Sequence, residues 1–386
     1  MIAPKKKIII IGPAHPYRGG NSLFVSHVYD ALKEDFDVII FNYKLLYPSI
    51  LFPGKTQYDE STTLIKKAPN ERLVNSISPI SWFKVANRII KENPDLVVFD
   101  WWHPFFGLCH FTISELIKKK LRNRILFITE NFISHEGNFI DKTLTAIGLK
   151  NASAFLVLSG IVEKEVKLIA KGRKVYKSEL PIYDCYDTED KTLDSVLRKE
   201  LGFSDQDKIL LFFGYVRKYK GLDLLIDAFP KLKSSIPNPK LLIVGEFYDS
   251  PDFYTDKIKK LGIEKDTVIV NKFVPNEDVG KYYKVCDLVI LPYRSATQSG
   301  ILNVAYGFSK PVLVTNVGGL SELVEDKKTG IIISPGSPDE IANGVQEFFS
   351  LKDKVDFEKN IKDFISKNKF GNLAALFNQI ILESQT

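Results

Sequence analysis

The 386-residue chain has few cysteines, a single methionine and no long apolar run. Its three cysteines, Cys109, Cys185 and Cys286, are widely spaced, and none has a second cysteine or a histidine at the spacing of a metal site. We therefore predict that the chain holds no metal ion. The three thiols are expected in the protein core, in a reducing compartment.

A membrane-spanning segment is also missing from the sequence. No stretch of 18 or more apolar residues occurs, which excludes a transmembrane helix. The basic start Met1–Lys7 precedes an apolar run, Ile8–Ile11, that is too short for a signal peptide. We therefore expect a cytoplasmic protein. Contact with the inner face of a membrane stays open, because Lys5–Lys7, Lys66-Lys67 and Lys118–Lys120 could approach anionic lipid or simply be solvated.

The charge balance is only mildly basic, with 53 Lys and Arg residues against 47 Asp and Glu residues. This excess permits an anionic ligand, but it is too small and too dispersed to indicate a nucleic-acid partner. A hydrophobic content of 45% is typical of a soluble globular protein, and the length favours two domains. The oligomeric state is left open, because neither half has a heptad pattern.

Short apolar runs alternate along the chain with stretches of helical periodicity. This alternation predicts two α/β halves, each with a parallel sheet covered on both faces, and a cleft between them. We expect a first domain of residues 1–183, a polar linker of 184–204, a second domain of 205–366, and a helical stretch of 367–386 that packs back on the first domain. The predicted strands are Lys6–Ile11, Asp37–Phe41, Leu96–Phe99, Ile125–Ile128, Ala154–Leu158, Ile209–Phe213, Leu241–Val244, Val268–Val270, Leu288–Leu291 and Val312–Val314.

Three turns that contain glycine follow predicted strands and precede predicted helices. They are Ala14–Gly20, Gly214–Gly221 and Arg294–Gly300. A helix N-terminus at the carboxyl edge of a parallel sheet suits a phosphate, because its first N–H groups are free and its dipole end is positive. Cations in the second turn favour a bound diphosphate, since they are unfavourable at a helix N-terminus without an anion. Taken singly, each turn is equally compatible with an ordinary βαβ connection.

Three loops of the first half carry side chains of interest. Asp100–Pro104 and Glu130–Glu136 follow predicted strands, so we expect them at the ligand-binding edge of the sheet. His103 and His135 are candidate ligand contacts, although an isolated histidine is more often structural. The loop Leu45–Gly54 is apolar yet interrupted by prolines, so it is a lid, an acceptor site, a membrane-facing patch or a plug of the core.

The order of four motifs resembles a known family. They are a first strand followed by PYRGG and a helix, then GYVRKYKGLDLLIDAF, KFVPNEDVGKYYKVCDLVILPY and SGILNVAYGFSKPVLVTNVGGLSELVEDKKTG. Together they resemble the family 4 retaining glycosyltransferases of GT-B fold, most specifically over Ile209–Ile332. The resemblance implies two Rossmann-like α/β domains facing each other across a cleft. It also implies a nucleotide-diphosphate sugar, a UDP- or GDP-sugar, as donor substrate, with no required metal or other cofactor.

The resemblance assigns roles to single residues. Lys220 matches the family lysine that contacts the donor diphosphate. The arginine that usually accompanies it is replaced by Tyr215, so Arg217 is the expected substitute. The family histidine near the donor sugar falls at Asn131, and His135, four residues later, is its candidate replacement. The remaining donor contacts implied are Gly19 and Gly20 in the first turn, Phe273 and Val274 at the nucleotide base, and the N–H groups of Ser299, Gly300 and Ile301 at the phosphates.

One departure from the family pattern concerns a pair of glutamates with seven residues between them. Their positions are occupied by Ala296 and Val304, so the side chains that would contact the donor sugar and the ribose are missing. Gln298, Asn303 and Glu322 are the candidates to fill these roles.

We predict a retaining glycosyltransferase that transfers a sugar to a glycan, lipid-linked or polysaccharide acceptor bound near Gly19-Gly20, Trp102-His103 and Ser134–Glu136. The alternative is a non-catalytic nucleotide- or glycan-binding protein in a polysaccharide-synthesis assembly. A nucleotide-sugar epimerase is disfavoured, because the sequence reveals no cluster of catalytic carboxylates in the first half.

Overall fold

The computed structural model describes residues 4–52, 54–63, 66–132, 139–186, 193–367 and 372–385. The chain divides into two compact units. The first consists of Met1–Asp59, Lys66–Pro181 and Asn368–Thr386, and the second of Glu60–Ile65 and Ile182–Lys367.

The first unit is built on a seven-stranded parallel sheet. Along the sheet the strands lie in the order β3-β2-β1-β4-β5-β6-β7. Its elements are β1 (Lys7–Ile11), α1 (Gly20–Leu32), β2 (Asp37–Leu45), β3 (Asn70–Asn75), α2 (Pro79–Glu92), β4 (Leu96–Trp101), α3 (Gly107–Ile117), β5 (Ile125–Thr129), α4 (Phe139–Gly148), β6 (Ala154–Val157), α5 (Gly160–Ala170), β7 (Lys174–Lys177) and the C-terminal helix α13 (Leu373–Ser384).

The two faces of this sheet follow from the two-residue period of a strand. In β1, Ile9 and Ile11 point into a core cluster shared with α2 and α3, whereas Ile8 and Ile10 point into a second cluster shared with α1 and α13. Both faces are therefore covered, and this explains why β1 is apolar at every position from Ile8 to Ile11.

The second unit contains a six-stranded parallel sheet in the order β10-β9-β8-β11-β12-β13. Leucine and isoleucine side chains of its strands pack against α7, α8 and α11 in one core cluster. Its elements are α6 (Asp194–Glu200), β8 (Lys208–Phe213), α7 (Leu222–Ser235), β9 (Pro239–Val244), α8 (Pro251–Lys260), β10 (Thr267–Val270), α9 (Asn276–Val285), β11 (Leu288–Leu291), α10 (Gly300–Gly307), β12 (Val312–Thr315), β13 (Gly330–Ile333), α11 (Pro338–Leu351) and α12 (Phe357–Ser366).

The short segment Glu60–Ile65 groups with the second unit, although the sequence analysis assigned it to the first domain. The physical reason is a set of hydrogen bonds at the start of α9. The Asn276 amide donates to Ser61 Oγ over 2.9 Å, and Thr62 donates through its amide and its hydroxyl to the Glu277 carboxylate.

The predicted strands correspond to strands of the structure with ends shifted by a few residues. Three further strands, β3, β7 and β13, were not predicted. β3 and β7 carry charged side chains, and β7 and β13 are only four residues long. Within the predicted linker the structure has a 3-10 turn, Asp184–Tyr186, and the helix α6. The sequence pattern also predicts that a helix starts at Leu320–Val324, but the structure has only a 3-10 turn there, over Ser321–Leu323.

Two expectations from the composition can be compared with the structure. Cys109 and Cys286 are buried, but Cys185 is only half-buried, since it lies in the 3-10 turn before α6. Of the helices in the described ranges, none combines the length and the apolar character needed to cross a bilayer.

Candidate functional site

The strand order of the second unit brings two predicted motifs side by side. β8 and β11 are neighbours in the middle of the sheet, and the chain proceeds from β8 to β9 on one side and from β11 to β12 on the other. Ligands of open parallel sheets bind at such a switch point, outside the carboxyl ends of the strands. The basic loop Gly214–Gly221 follows β8, and the segment Pro292–Ser299 follows β11.

Lys220 is the central side chain of this arrangement. It is 7% exposed, its Nζ lies 5.7 Å from the centre of the Tyr293 ring, and a Cβ built on Gly214 would lie 3.2 Å from that Nζ. The same Cβ would lie 3.1 Å from Cδ1 of Ile301, so the lysine and the first turn of α10 meet at Gly214. Burial, reinforced by the nearby charge of Arg217, lowers the pKa of Lys220 to about 8.

Arg294 holds the basic loop against the segment after β11. Its guanidinium forms a bidentate pair with Asp223, with distances of 2.8 and 2.7 Å, and also donates to the Lys218 carbonyl over 2.8 Å. The Arg294 amide donates to the Tyr219 carbonyl over 2.7 Å. A planar guanidinium that uses both edges in this way orders the loop around Lys220.

The predicted phosphate-binding turn lies at the start of α10. Ser299 is the N-cap residue, and its buried side chain makes no capping hydrogen bond to the helix. The N–H groups in the first turn of α10, those of Gly300 and Ile301 among them, therefore gain no hydrogen bond from the Ser299 side chain. Beside them, Oε1 of Gln298 is buried and accepts no hydrogen bond from a donor within the described ranges.

The positions of the two missing glutamates lie next to this turn and are both buried. Ala296 precedes α10, and its carbonyl is packed against the turn after β12, where a Cβ on Gly318 would lie 1.6 Å from the Ala296 oxygen. Val304 lies in the middle of α10 and is 6% exposed. Asn303, also in α10, is fully buried, whereas Glu322, in the 3-10 turn after β12, is exposed.

The remaining predicted donor residues of the second unit are more dispersed. Arg217 is half-buried, with its guanidinium 5.5 Å from the centre of the Tyr219 ring. Phe273 and Val274 form the loop between β10 and α9, two strands away from β8 in the sheet. The structure therefore brings Lys220, Arg217 and Ile301 together. The predicted roles of these three residues, like those of Phe273, Val274 and Glu322, stay predictions.

In the first unit the predicted glycine turn leads directly into α1. Gly19 is the N-cap residue with a φ of 104°, Gly20 begins the helix, and no side chain caps it. In the next loop, His103 Nδ1 accepts a hydrogen bond from the Phe105 amide over 3.2 Å, which gives this histidine a local structural role. His135 and the segment Ser134–Glu136 lie outside the described residues.

The apolar loop Leu45–Gly54 divides into two parts, with Pro53 outside the described residues. Leu46 is buried in the core, and the Tyr47 hydroxyl accepts a hydrogen bond from Trp102 Nε1 over 3.0 Å. Ile50 and Leu51, in contrast, are 91% and 56% exposed. The loop is thus partly a plug of the core and partly an exposed apolar surface.

A pair of carboxyl groups lies at the carboxyl edge of the first sheet and was not predicted from the sequence. Asp100 at the end of β4 and Glu130 directly after β5 are both buried and hydrogen-bond to each other. Asn21 Nδ2 donates to Glu130 Oε1 over 2.8 Å. The absence of a cluster of catalytic carboxylates from the first half stays a prediction. The sequence did give an indication of the two acids, because each comes near or directly after the end of an apolar strand. Their pairing, however, depends on β4 and β5 being neighbours in the sheet.

Comparison with known proteins agrees with the prediction made for the second unit. Residues 194–364 match the profile of the family described as "Glycosyl transferases group 1". An uncharacterized glycosyltransferase of Methanocaldococcus jannaschii is 34% identical over 179 residues, which are 46% of this chain and 45% of that protein. N-acetyl-alpha-D-glucosaminyl L-malate synthase of Bacillus anthracis is 25% identical over 284 residues, 70% of this chain and 69% of that protein. The chain thus spans less than half of the first of these relatives.

The whole chain is also similar to solved structures. The structure of HepE from Anabaena in complex with UDP superposes with a TM-score of 0.74 at 16% identity, covering 98% of this chain and 100% of that one. This likeness shows the fold, which is GT-B with two Rossmann-like domains. The comparisons support the group 1 glycosyltransferase family that the motifs predicted, and they give no support to a non-catalytic binding role.

Proposed function

We propose that this chain is a group 1 glycosyltransferase that transfers a sugar, with retention of configuration, from a nucleoside-diphosphate sugar to a carbohydrate acceptor. The observation that carries the proposal is the burial of Lys220 beside Arg217, with no carboxylate among the described residues paired to it. A buried ammonium without a counter-ion is costly, and an anion at this point removes the cost. The diphosphate of a nucleotide sugar is such an anion.

The chemistry follows from where negative charge grows during the reaction. As the bond from the sugar to the diphosphate breaks, charge develops on the leaving phosphate oxygen. Lys220, Arg217 and the N–H groups of Ser299, Gly300 and Ile301 stabilise this charge. The acceptor hydroxyl then attacks on the face that the phosphate leaves, and the phosphate takes the proton. This course requires no covalent nucleophile from the protein.

For the nucleotide base and the acceptor, we propose a chemical class and the residues that contact it. HepE was solved with UDP and with UDP-glucose, which supports a UDP-sugar as donor, with a GDP-sugar as the other candidate. Phe273 and Val274 are the proposed base contacts, and Gln298 or Glu322 is proposed to take over from the missing glutamates. The exposed Ile50 and Leu51 support a glycan acceptor that is linked to a lipid, reached at the inner face of a membrane.

The test is turnover of nucleotide sugars by the purified protein. UDP-, GDP- and ADP-sugars are incubated with and without glycoside acceptors, and released nucleotide and new glycoside are measured. We expect Lys220→Ala to lower turnover by about 10²- to 10³-fold, the range for removal of a preorganised charge-stabilising group. Lys218→Ala is the matched control, because Lys218 lies two residues away in the same loop with an exposed side chain. Equal rates for the wild type and Lys220→Ala, or release of an epimerised free sugar, would contradict the proposal.

A further inference from the structure

A second polar site lies in the first unit, at the switch point of the first sheet. β1 and β4 are neighbours there, and the chain proceeds from β1 to β2 on one side and from β4 to β5 on the other. Asp100 lies at the end of β4, and Glu130 follows β5, held there by its amide, which donates to the Trp101 carbonyl over 2.9 Å. The edge of the sheet at which ligands bind thus carries two adjacent acids.

The space around Asp100 is shaped for a carboxyl group. A Cβ on Gly12, which directly follows β1, would lie 3.1 Å from Cβ of Asp100 and 2.9 Å from Cγ2 of Val25. The Asp100 side chain therefore fits only because position 12 is glycine, since a side chain at position 12 would clash with it. The side chain is 0% exposed, and neither of its oxygens accepts a hydrogen bond from an N–H or hydroxyl donor in the described ranges.

An ionised carboxylate without donors would be very unfavourable in this position. The hydrogen bond between Asp100 and Glu130 requires one of the two groups to be protonated. Burial, together with the charge of Glu130, raises the pKa of Asp100 well above its usual value, and burial raises the pKa of Glu130 to about 7. Glu130 accepts a hydrogen bond from Asn21, whereas neither Asp100 oxygen has an N–H or hydroxyl donor in the described ranges. Asp100 is therefore the protonated member, and its O–H donates to Glu130.

Glu130 is the member that can reach a ligand. Glu130 is 6% exposed, whereas Asp100 has no exposed surface. Glu130 also lies just beyond the end of β5, whereas Asp100 lies within β4. Asn21, in the first turn of α1, donates to its Oε1, so the carboxylate is oriented by donors from two elements. An oriented carboxylate that still has lone pairs available is a suitable acceptor for a hydroxyl group.

We propose that Glu130, oriented by Asn21 and by protonated Asp100, binds a hydroxyl group of the sugar acceptor in the first unit. Glu130 touches the ligand, and Asp100 is a positioning residue that acts through it. This inference rests on the proposed glycosyl transfer for its kinetic consequences, but the carbohydrate site itself exists independently of catalysis.

The kinetic test separates acceptor binding from use of the donor. Methyl α-glycosides of glucose, galactose, mannose and N-acetylglucosamine serve as acceptors, and hydrolysis of the nucleotide sugar without acceptor is measured in parallel. We expect Glu130→Gln to raise the acceptor KM by roughly ten- to a hundredfold, as loss of a hydrogen bond to a charged group does, and to leave hydrolysis within about twofold. Glu163→Gln, which removes a surface partner of Lys167 in the same unit, is the matched control.

A spectroscopic test does not depend on turnover. In full-length protein labelled with ¹³C at the glutamate carboxyl carbon, the Glu130 signal should shift when one of the methyl glycosides is added, and Asp100→Asn should weaken that response. Glu130→Asp, which keeps the charge, serves as a second variant if Glu130→Gln does not fold. An unchanged acceptor KM in both Glu130 variants, or no shift with any glycoside, would overturn the inference. Absence of both transfer and hydrolysis in the wild type would instead refute the proposed function and leave the spectroscopic test to decide this site.

Discussion

Replacing Lys220 by methionine should make the free protein more stable, which is unusual for a residue of a binding site. The ordinary pKa of lysine is 10.5, and in the folded protein burial lowers the pKa of Lys220 to about 8. The difference corresponds to about 3 kcal/mol of unfolding free energy that the charged side chain costs at neutral pH. Methionine fills similar space without charge, so we expect Lys220→Met to gain up to about 3 kcal/mol at pH 7.

The stability gained by Lys220→Met should depend on pH in a definite direction. Because the folded pKa is lowered, the unfolded chain binds more protons between pH 8 and 10.5, and the stability of the wild type rises with pH in that window. The gain from Lys220→Met should therefore shrink as the pH rises through this range. It should be absent from Lys218→Met, because Lys218 is exposed.

The assay must report on the second unit. All three tryptophans, Trp82, Trp101 and Trp102, belong to the first unit, so tryptophan fluorescence would follow the wrong transition. Hydrogen exchange of peptides covering β8 and β11, measured at increasing urea, follows the correct one. A saturating nucleotide, at about 100 times its Kd, should add about 2.7 kcal/mol to the wild type and much less to Lys220→Met. A destabilised Lys220→Met protein with an intact nucleotide response would refute the reasoning.

Three further predictions concern the second unit. Binding of UDP or GDP at pH 8 should take up about half a proton, because an anion restores the charge of Lys220, and calorimetry in buffers of different ionisation enthalpy measures this uptake. Arg294→Lys should weaken nucleotide binding by about tenfold, since an ammonium cannot reproduce the bidentate pair with Asp223, and titration calorimetry against wild type tests it. The hydrogen bonds from Thr62 and Thr63 outweigh the effect of burial and lower the pKa of Glu277 to about 2. Its stabilising contribution is therefore present above about pH 4.5 and lost as the pH falls towards 2, and Glu277→Gln should flatten that limb of the acid-unfolding curve.

The sequence by itself determined the architecture of the two sheets. Runs such as Ile8–Ile11 and Leu288–Leu291 are apolar at every position, as is typical of strands that are buried on both faces. Stretches of helical periodicity follow these runs along the chain. The turns after these strands, each ending in glycine, also predicted where the helices α1 and α10 begin. Local patterns were sufficient to predict these strands and helices, because the period of apolar residues in each element can be read within a few neighbouring residues.

Tertiary structure alone decided which distant residues meet. The sequence predicted Lys220 as a contact of a diphosphate but not its burial. The side chain is buried in a structure in which β8 and β11 are neighbours and Arg294 holds the basic loop against the segment after β11. Asp100 and Glu130 are separated by a complete helix, and only the pairing of β4 with β5 makes them a proton-sharing pair. Strand order depends on long-range packing that no local periodicity encodes, and both candidate sites lie at the positions where that order reverses.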